Sequence, residues 1–256
     1  TIYASLAGSV IKSTNGGSTW INTGSGPSGP KKVIVSPNNS NLVYCASSNG
    51  LFVSNNGGTT WAKTLNYNVE DVEFNPANPN LMYVSGSTSA GSIWRSTDGG
   101  SNWISITSLE GITSIGRTLL AVSEHNASVV YAVQANGSSF GKMYRSNDSG
   151  ATFTTLISGS PANGTNFFGY DSDGKGSGGQ ATYDMAICVN PKNVNEVHIA
   201  GIICWKSING GSTFSAETEW YYPNPTGYNH ADVHALEWVK GTIYSGSDGG
   251  VFKSVN

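Results

Sequence analysis

Three groups of side chains in this 256-residue sequence could do chemistry. His230-x-Asp232-x-His234 would set two imidazoles and a carboxylate on one side of an extended strand, because side chains alternate along it. Such a set could hold zinc or another transition metal with an open position, lock a loop by hydrogen bonds, or touch a ligand directly. Asp184 and Asp232 are the best pair for acid–base work on a glycosidic bond, which needs two carboxylates roughly 5–10 Å apart. Asp171-x-Asp173-Gly174 opens like a calcium loop, with Asp171 and Asp173 as ligands, but lacks the third acidic ligand and the distal glutamate. A solvated turn is the simpler reading there. Trp220, Tyr221 and Tyr222, with Tyr183 nearby in the chain order of the site, offer aromatic faces that either meet the C–H side of a sugar or pack on the protein itself. No cofactor is expected; calcium and a transition metal stay open as alternatives.

The rest of the composition narrows the class. Lys and Arg number 13 against 16 Asp and Glu, a net charge of −3 without a basic patch, so nucleic acid is a poor partner. Only 11% of residues are charged while glycine reaches 33, a mixture that suits turn-rich β-structure wetted by hydroxyls and amides. That balance is common in secreted bacterial proteins. No run approaches the ~18 apolar residues of a membrane span, so a membrane-embedded protein is not expected. No signal peptide opens the chain, and an export signal would lie upstream of Thr1. Cys45, Cys188 and Cys204 each sit in an apolar run and read as small buried hydrophobes, with a Cys188–Cys204 disulfide as the alternative.

The elements that must position these groups come from a repeat. Ser-x-Asn/Asp-x-Gly-x-Thr-aromatic recurs five times, starting at Ser13, Ser54, Ser96, Ser146 and Ser207, and a sixth begins at Ser254. A period slightly above 40 residues is what four short strands and their turns occupy in a propeller blade. Blade two shows the parts: strands at Lys32–Val35, Leu42–Ala46 and Gly50–Ser54, then the turn, then a fourth strand opened by Thr60-Trp61. In each turn the Asn or Asp (Asn15, Asn56, Asp98, Asp148, Asn209) can bond nearby backbone N–H groups, glycine allows positive φ, and the aromatic packs on the joined strands. These are structural staples, not active sites. The expected fold is therefore all-β, a β-propeller of four-stranded antiparallel blades over residues 1–256. About six blades are represented, the first without its first strand and the last without its fourth, as in part of a longer propeller.

The turns resemble the Asp-box (BNR) repeats of sialidases, sortilin-type receptors and xyloglucan-degrading glycosidases. Residues 179–256, with Gly179-Gln180, Tyr183-Asp184, Trp205-Lys206-Ser207, His230-Ala-Asp232-Val-His234 and Gly246-Ser-Asp248-Gly249, also resemble secreted Bacteroidetes surface proteins that use type IX secretion. The resemblance implies a ligand site at the mouth of the central channel, where loops enter each innermost strand. Two of those loops are long, Ser158–Thr182 and Ala216–Asn229, and long loops in a regular array usually carry function. Aligning inner strands by their ends puts Arg117, Asp184 and His234 at one height around that mouth. A sialidase is disfavoured: it needs three clustered arginines, and Arg95 and Arg145 precede turns on outer strands. The expected function is a secreted or cell-surface recognition or adhesion propeller, non-enzymatic and carbohydrate-binding. Its partners would be a glycan or surface protein, the type IX machinery and neighbouring domains. The alternatives are a glycoside hydrolase or metal-dependent hydrolase at the mouth, and a structural propeller travelling as secretion cargo.

Overall fold

A computed structural model describes residues 1–6, 8–88, 91–106, 116–221 and 227–255. Apart from one 3-10 turn at Pro161–Asn163, the regular structure among them is all β. It falls into two compact units, Thr1–Ser114 and Ile115–Asn256. The first unit holds the sheets β1 (Ile2–Leu6), β2 (Ser9–Ser13), β3 (Ile21–Asn22); β4 (Pro30–Ser36), β5 (Asn39–Ser47), β6 (Gly50–Ser54), β7 (Ala62–Leu65); and β8 (Val69–Phe74), β9 (Met82–Thr88), β10 (Gly91–Ser96), β11 (Ile104–Ser105). The second holds β12 (Thr118–Val122), β13 (Val130–Asn136), β14 (Ser139–Ser146), β15 (Thr154–Ser158); β16 (Ala186–Val189), β17 (Val197–Ala200), β18 (Cys204–Ser207), β19 (Ser215–Ala216); and β20 (Val233–Val239), β21 (Thr242–Ser247), β22 (Gly250–Ser254).

Every pairing joins chain neighbours antiparallel, so each sheet is a meander, the blade of a β-propeller. Among the described residues, four blades have four strands. The outer two have three, and β1 pairs as a second strand while β20–β22 are strands one to three, as the repeat implies. Within each unit the first strands lie side by side, β4 against β8 and β16 against both β12 and β20. Apolar side chains fill the space between blades. In unit 1, Tyr44, Ala46 and Leu51 of one blade meet Val69, Val72, Met82 and Trp94 of the next. Each such aliphatic side chain contributes about 1.5–3 kcal/mol by leaving water.

The five turns share one bonding scheme. In the third, the Ser96 hydroxyl donates to Asp98 Oδ1 at 2.8 Å and accepts from the Gly100 N–H at 2.9 Å. Asp98 Oδ1 also accepts the Asn102 N–H at 2.9 Å, and Oδ2 accepts the Asn102 amide at 2.7 Å. Those side-chain and backbone donors hold the Asp98 carboxyl down at about 2. Asn15 does the same work without charge, accepting from Ser13 and the Thr19 N–H and donating to Thr19 Oγ1. Thr60 gives its N–H to Asn56 Oδ1 and so belongs to the turn; the fourth strand starts at Ala62, not at Thr60-Trp61. All three cysteines are free thiols, Cys204 only partly buried, so no Cys188–Cys204 disulfide forms.

Four of the turns carry glycine at the first left-handed position, but the fourth carries Ser149 at φ +58°. An L side chain there costs about 1–2 kcal/mol, part of which glycine's greater unfolded freedom returns. Ser149→Gly is therefore expected to stabilise unit 2 by roughly 0.5–1 kcal/mol in urea denaturation, and a loss of stability would contradict this.

Candidate functional site

The three blades of unit 2 build the site. Its first long loop is held down hard. Asn166 is buried, accepting the Phe140 N–H at 2.9 Å and donating to the carbonyls of Gly176 and Gly178. The neighbouring Phe167 and Phe168 plug the core between the first two blades of the unit. The second loop reaches the first through Trp220, whose indole N–H donates to the Tyr170 carbonyl at 3.1 Å. Between the loops lies an open cleft lined by Tyr170, Asp171, Asp173, Lys175, Glu219 and Tyr221. Trp220, Tyr221 and Tyr170 are exposed beside it. Tyr222 lies outside the described residues.

Where the chain enters the inner strands, the expected residues come together. Arg117, just before β12, donates through Nη1 to the Tyr183 carbonyl at 3.1 Å. The following Asp184 is 0% exposed, and neither of its oxygens has a hydrogen-bond partner. Burial first, then the nearby Asp232 carboxylate, raise its carboxyl to about 7, against the pull of Arg117. Asp232 accepts from Gln180 Nε2 at 3.0 Å. Above this pair, Asp248 of the β21–β22 turn accepts the Tyr183 hydroxyl at 2.9 Å and faces His234 Nε2 at 3.0 Å. Those two bonds keep the Asp248 carboxyl low, and the hydrogen bond to Asp248, then its charge, push the Tyr183 phenol up. Tyr183 and His234 meet edge to face at 5.0 Å.

The alternation argument for His230, Asp232 and His234 does not hold. Asp232 has φ +63°, so β20 begins only at Val233, and the three side chains take separate partners. His230 Nδ1 faces the Ala231 carbonyl, Asp232 takes Gln180, and His234 takes Asp248. At the other motif, Asp173 Oδ1 accepts the Lys175 N–H, and Lys175 Nζ lies 3.8 Å from Oδ2, where a calcium ion would need the carboxylate. No group of three or more His, Cys, Asp or Glu among the described residues is arranged for a metal.

Sequence reasoning missed Asp248, whose signal was its place in a Ser-Asp-Gly-Gly hairpin turn, and Gln180. It also missed a charged row on the inner strands of unit 1. Lys31 pairs with Glu70, and Lys32 with Glu73 and, at 2.7 Å, with the buried Asp71. Burial opposes the Lys32 charge, but Asp71 and Glu73 more than offset it and raise its pKa. The visible sign was three carboxylates in the otherwise apolar Val69–Phe74. Arg95 and Arg145 lie on the third strands β10 and β14, where Arg145 sits over the Tyr131 ring.

Chemically, the mouth offers an exposed phenol, carboxylate and imidazole for polar groups, beside a carboxyl whose pKa is raised to about 7. Because both Asp184 oxygens are out of reach of solvent, the proton of that carboxyl is not presented to a substrate.

The family model for the DUF6242 beta propeller domain matches residues 1–158. No curated protein matches the sequence. Among solved structures, the GH74 enzyme of Niastella koreensis is 22% identical with a TM-score of 0.70, covering 97% of this chain. This chain spans only 41% of that enzyme. The extracellular domain of a putative hybrid two component system from B. thetaiotaomicron is 9% identical (TM-score 0.67; 98% of this chain, 31% of the other). An auxiliary nutrient binding protein from Bacteroides thetaiotaomicron is 10% identical (TM-score 0.62; 91% and 61%). At such identities the shared property is the fold. No helix among the described residues is long and apolar enough to cross a membrane.

Proposed function

The chain belongs to the DUF6242 beta propeller domain family, and from that premise we propose that it is a secreted or cell-surface recognition module that binds carbohydrate without turnover. The observation that carries this reading is the pair of long loops tied by Trp220 to Tyr170. The tie leaves Tyr170, Tyr221 and one side of Trp220 exposed beside a polar cleft. Aromatic faces bordering carboxylates and hydroxyls suit a ligand that has both C–H faces and hydroxyls. The low charge content, and the likeness of residues 179–256 to surface proteins exported by the type IX route, support the extracellular placement. Glycans or surface proteins are the partners, with no cofactor.

Glycan-array screening followed by calorimetry tests it. Tyr221→Ala and Trp220→Ala are expected to weaken a bound glycan about tenfold or more, that is by at least ~1.4 kcal/mol. No glycan bound, or equal binding by both variants, would sink the proposal. A second reading is a hydrolase with its site at the mouth, with Asp232 as the carboxylate that a substrate could reach. Turnover of the bound glycan, lost in Asp232→Asn, would establish that reading instead.

A further inference from the structure

The residue just before each turn serine is basic in five blades, as Lys12, Arg95, Arg145, Lys206 and Lys253, and is Val53 in the second. The strand registers set Val53 opposite Tyr44, as Lys12 stands opposite Tyr3 and Arg145 opposite Tyr131. Two of these cations reach the next blade within their own unit. Lys12 Nζ donates to the Gly57 carbonyl at 2.9 Å. Arg145 lies over the Tyr131 ring, donating through Nε to Asn147 Oδ1 at 2.9 Å and through Nη1 to Asn195 Oδ1 at 3.3 Å.

The second blade and its neighbour keep the acceptors without the cation. Asn55 follows Ser54 as Asn147 follows Ser146. The Asn80 carbonyl accepts the Gly99 N–H, as that of Asn195 accepts Gly210 and that of Asn41 accepts Gly57. Around Gly57 stand the Tyr3 hydroxyl, Lys12 Nζ and Asn41, and around Gly210 the Tyr131 hydroxyl, Arg145 Nη1 and Asn195. Around Gly99 stand the Tyr44 hydroxyl and Asn80, with no cation among the described residues. An open groove lies there instead, lined by Tyr44, Val53, Asn55, Thr64, Asn80 and Asp98. The Thr64 hydroxyl oxygen in its wall is buried without a partner. Charge points the same way. The turns that meet Lys12 and Arg145 close on the neutral amides of Asn56 and Asn209, whereas the turn at the groove closes on the Asp98 carboxylate.

We propose that this groove binds an arginine side chain of a partner protein, its guanidinium held by Asn55 and Asn80 in the field of Asp98, as Arg145 is held within the fold. Arginine is favoured over lysine. A planar fork can serve two amide oxygens on different blades at once, whereas the Lys12 ammonium uses the turn carbonyl. At Gly99 that carbonyl already accepts the Tyr44 hydroxyl at 2.8 Å. The groove is open, and Asn38, Asn39 and Ser101 on its rim offer amides and a hydroxyl to a main chain lying across it.

A capped Gly-Arg-Gly peptide, its citrulline counterpart of the same shape without charge, and free L-arginine are titrated into the 15N-labelled 256-residue protein. The side-chain amide signals of Asn55 and Asn80 report the site. Saturable shifts of both signals are expected with the arginine peptide, and affinity at least about tenfold weaker with citrulline. Val53→Arg supplies the guanidinium from within and is expected to abolish the shifts caused by the peptide. Asp98→Asn keeps a turn that the chain already builds on Asn15, Asn56 and Asn209, and is expected to weaken the peptide about two- to fivefold. Should Val53→Arg fail to fold, Asp98→Asn and the citrulline peptide decide. Equal binding of the two peptides, no saturable shift, or undiminished affinity in Asp98→Asn overturns the proposal. Tighter binding of free L-arginine than of the peptide assigns the groove to a small molecule and overturns the partner protein.

Discussion

Asp184→Asn is expected to make the protein more stable at pH 8, by roughly 2–4 kcal/mol, while leaving its stability near pH 4 almost unchanged. The reasoning starts from a carboxyl with no exposed surface and no partner on either oxygen, set beside a second carboxylate. In the unfolded chain such a group loses its proton near 3.9; in the fold it keeps it up to about 7. Between those values the folded state binds the extra proton, so stability is full below pH 4, falls as pH rises, and is flat above pH 7. A displacement of that size is worth about 4 kcal/mol. An amide has the same shape and no charge to desolvate, and its N–H can donate to Asp232. Urea denaturation of both proteins from pH 4 to pH 8 checks this: the wild-type curve should fall and the Asp184→Asn curve stay level. Should the asparagine protein be the weaker at pH 8, Asp184 is ionised in the fold and used as a charge, which would favour the hydrolase reading.

Gly179→Ala is expected to cost at least about 4 kcal/mol, the range of severe substitutions with an identifiable steric cause. A Cβ at this position would lie 2.1 Å from the Phe168 carbonyl oxygen and 2.7 Å from that of Ser138, both backbone atoms that cannot step aside alone. The φ of +151° adds strain for any L side chain. Relief requires the Ser158–Thr182 loop to lift, which takes Phe168, 0% exposed, out of the core between two blades. Loss of the cleft should follow, so glycan binding and chemical stability fall together. If Gly179→Ala unfolds with the wild-type midpoint, the loop is not docked as described.

The fold was legible because its repeat is written in local chemistry. Each turn needs its serine, its Asn or Asp and its glycine within a few residues, so spacing alone revealed the blades. Of the site, the two long loops could be read from the chain, strand alignment put Arg117, Asp184 and His234 at one height, and Asp232 could be paired with Asp184 from its place on the neighbouring inner strand. What failed was whatever depends on distant backbone. Asp232 takes a left-handed conformation without a glycine to announce it, so a period-two reading ran through a strand that had not begun. The partner of His234 arrives from the next hairpin, fourteen residues on. Asp184 packs close to Gly201, which follows two intervening strands in the chain, so no local pattern announces its burial. The Lys32–Asp71 pair likewise joins two blades.

Three of the five turns close on a neutral amide, Asn15, Asn56 or Asn209, rather than a carboxylate. Mobile ions screen exposed charges over a distance of about 8 Å at physiological strength but leave the hydrogen bonds of an amide largely untouched. The two carboxylate turns, at Asp98 and Asp148, are held in the ionised form well into acid. These turns therefore respond little to salinity or to moderate acidification, and the ionisable groups at the mouth and along the inner strands are where the surrounding medium acts more strongly.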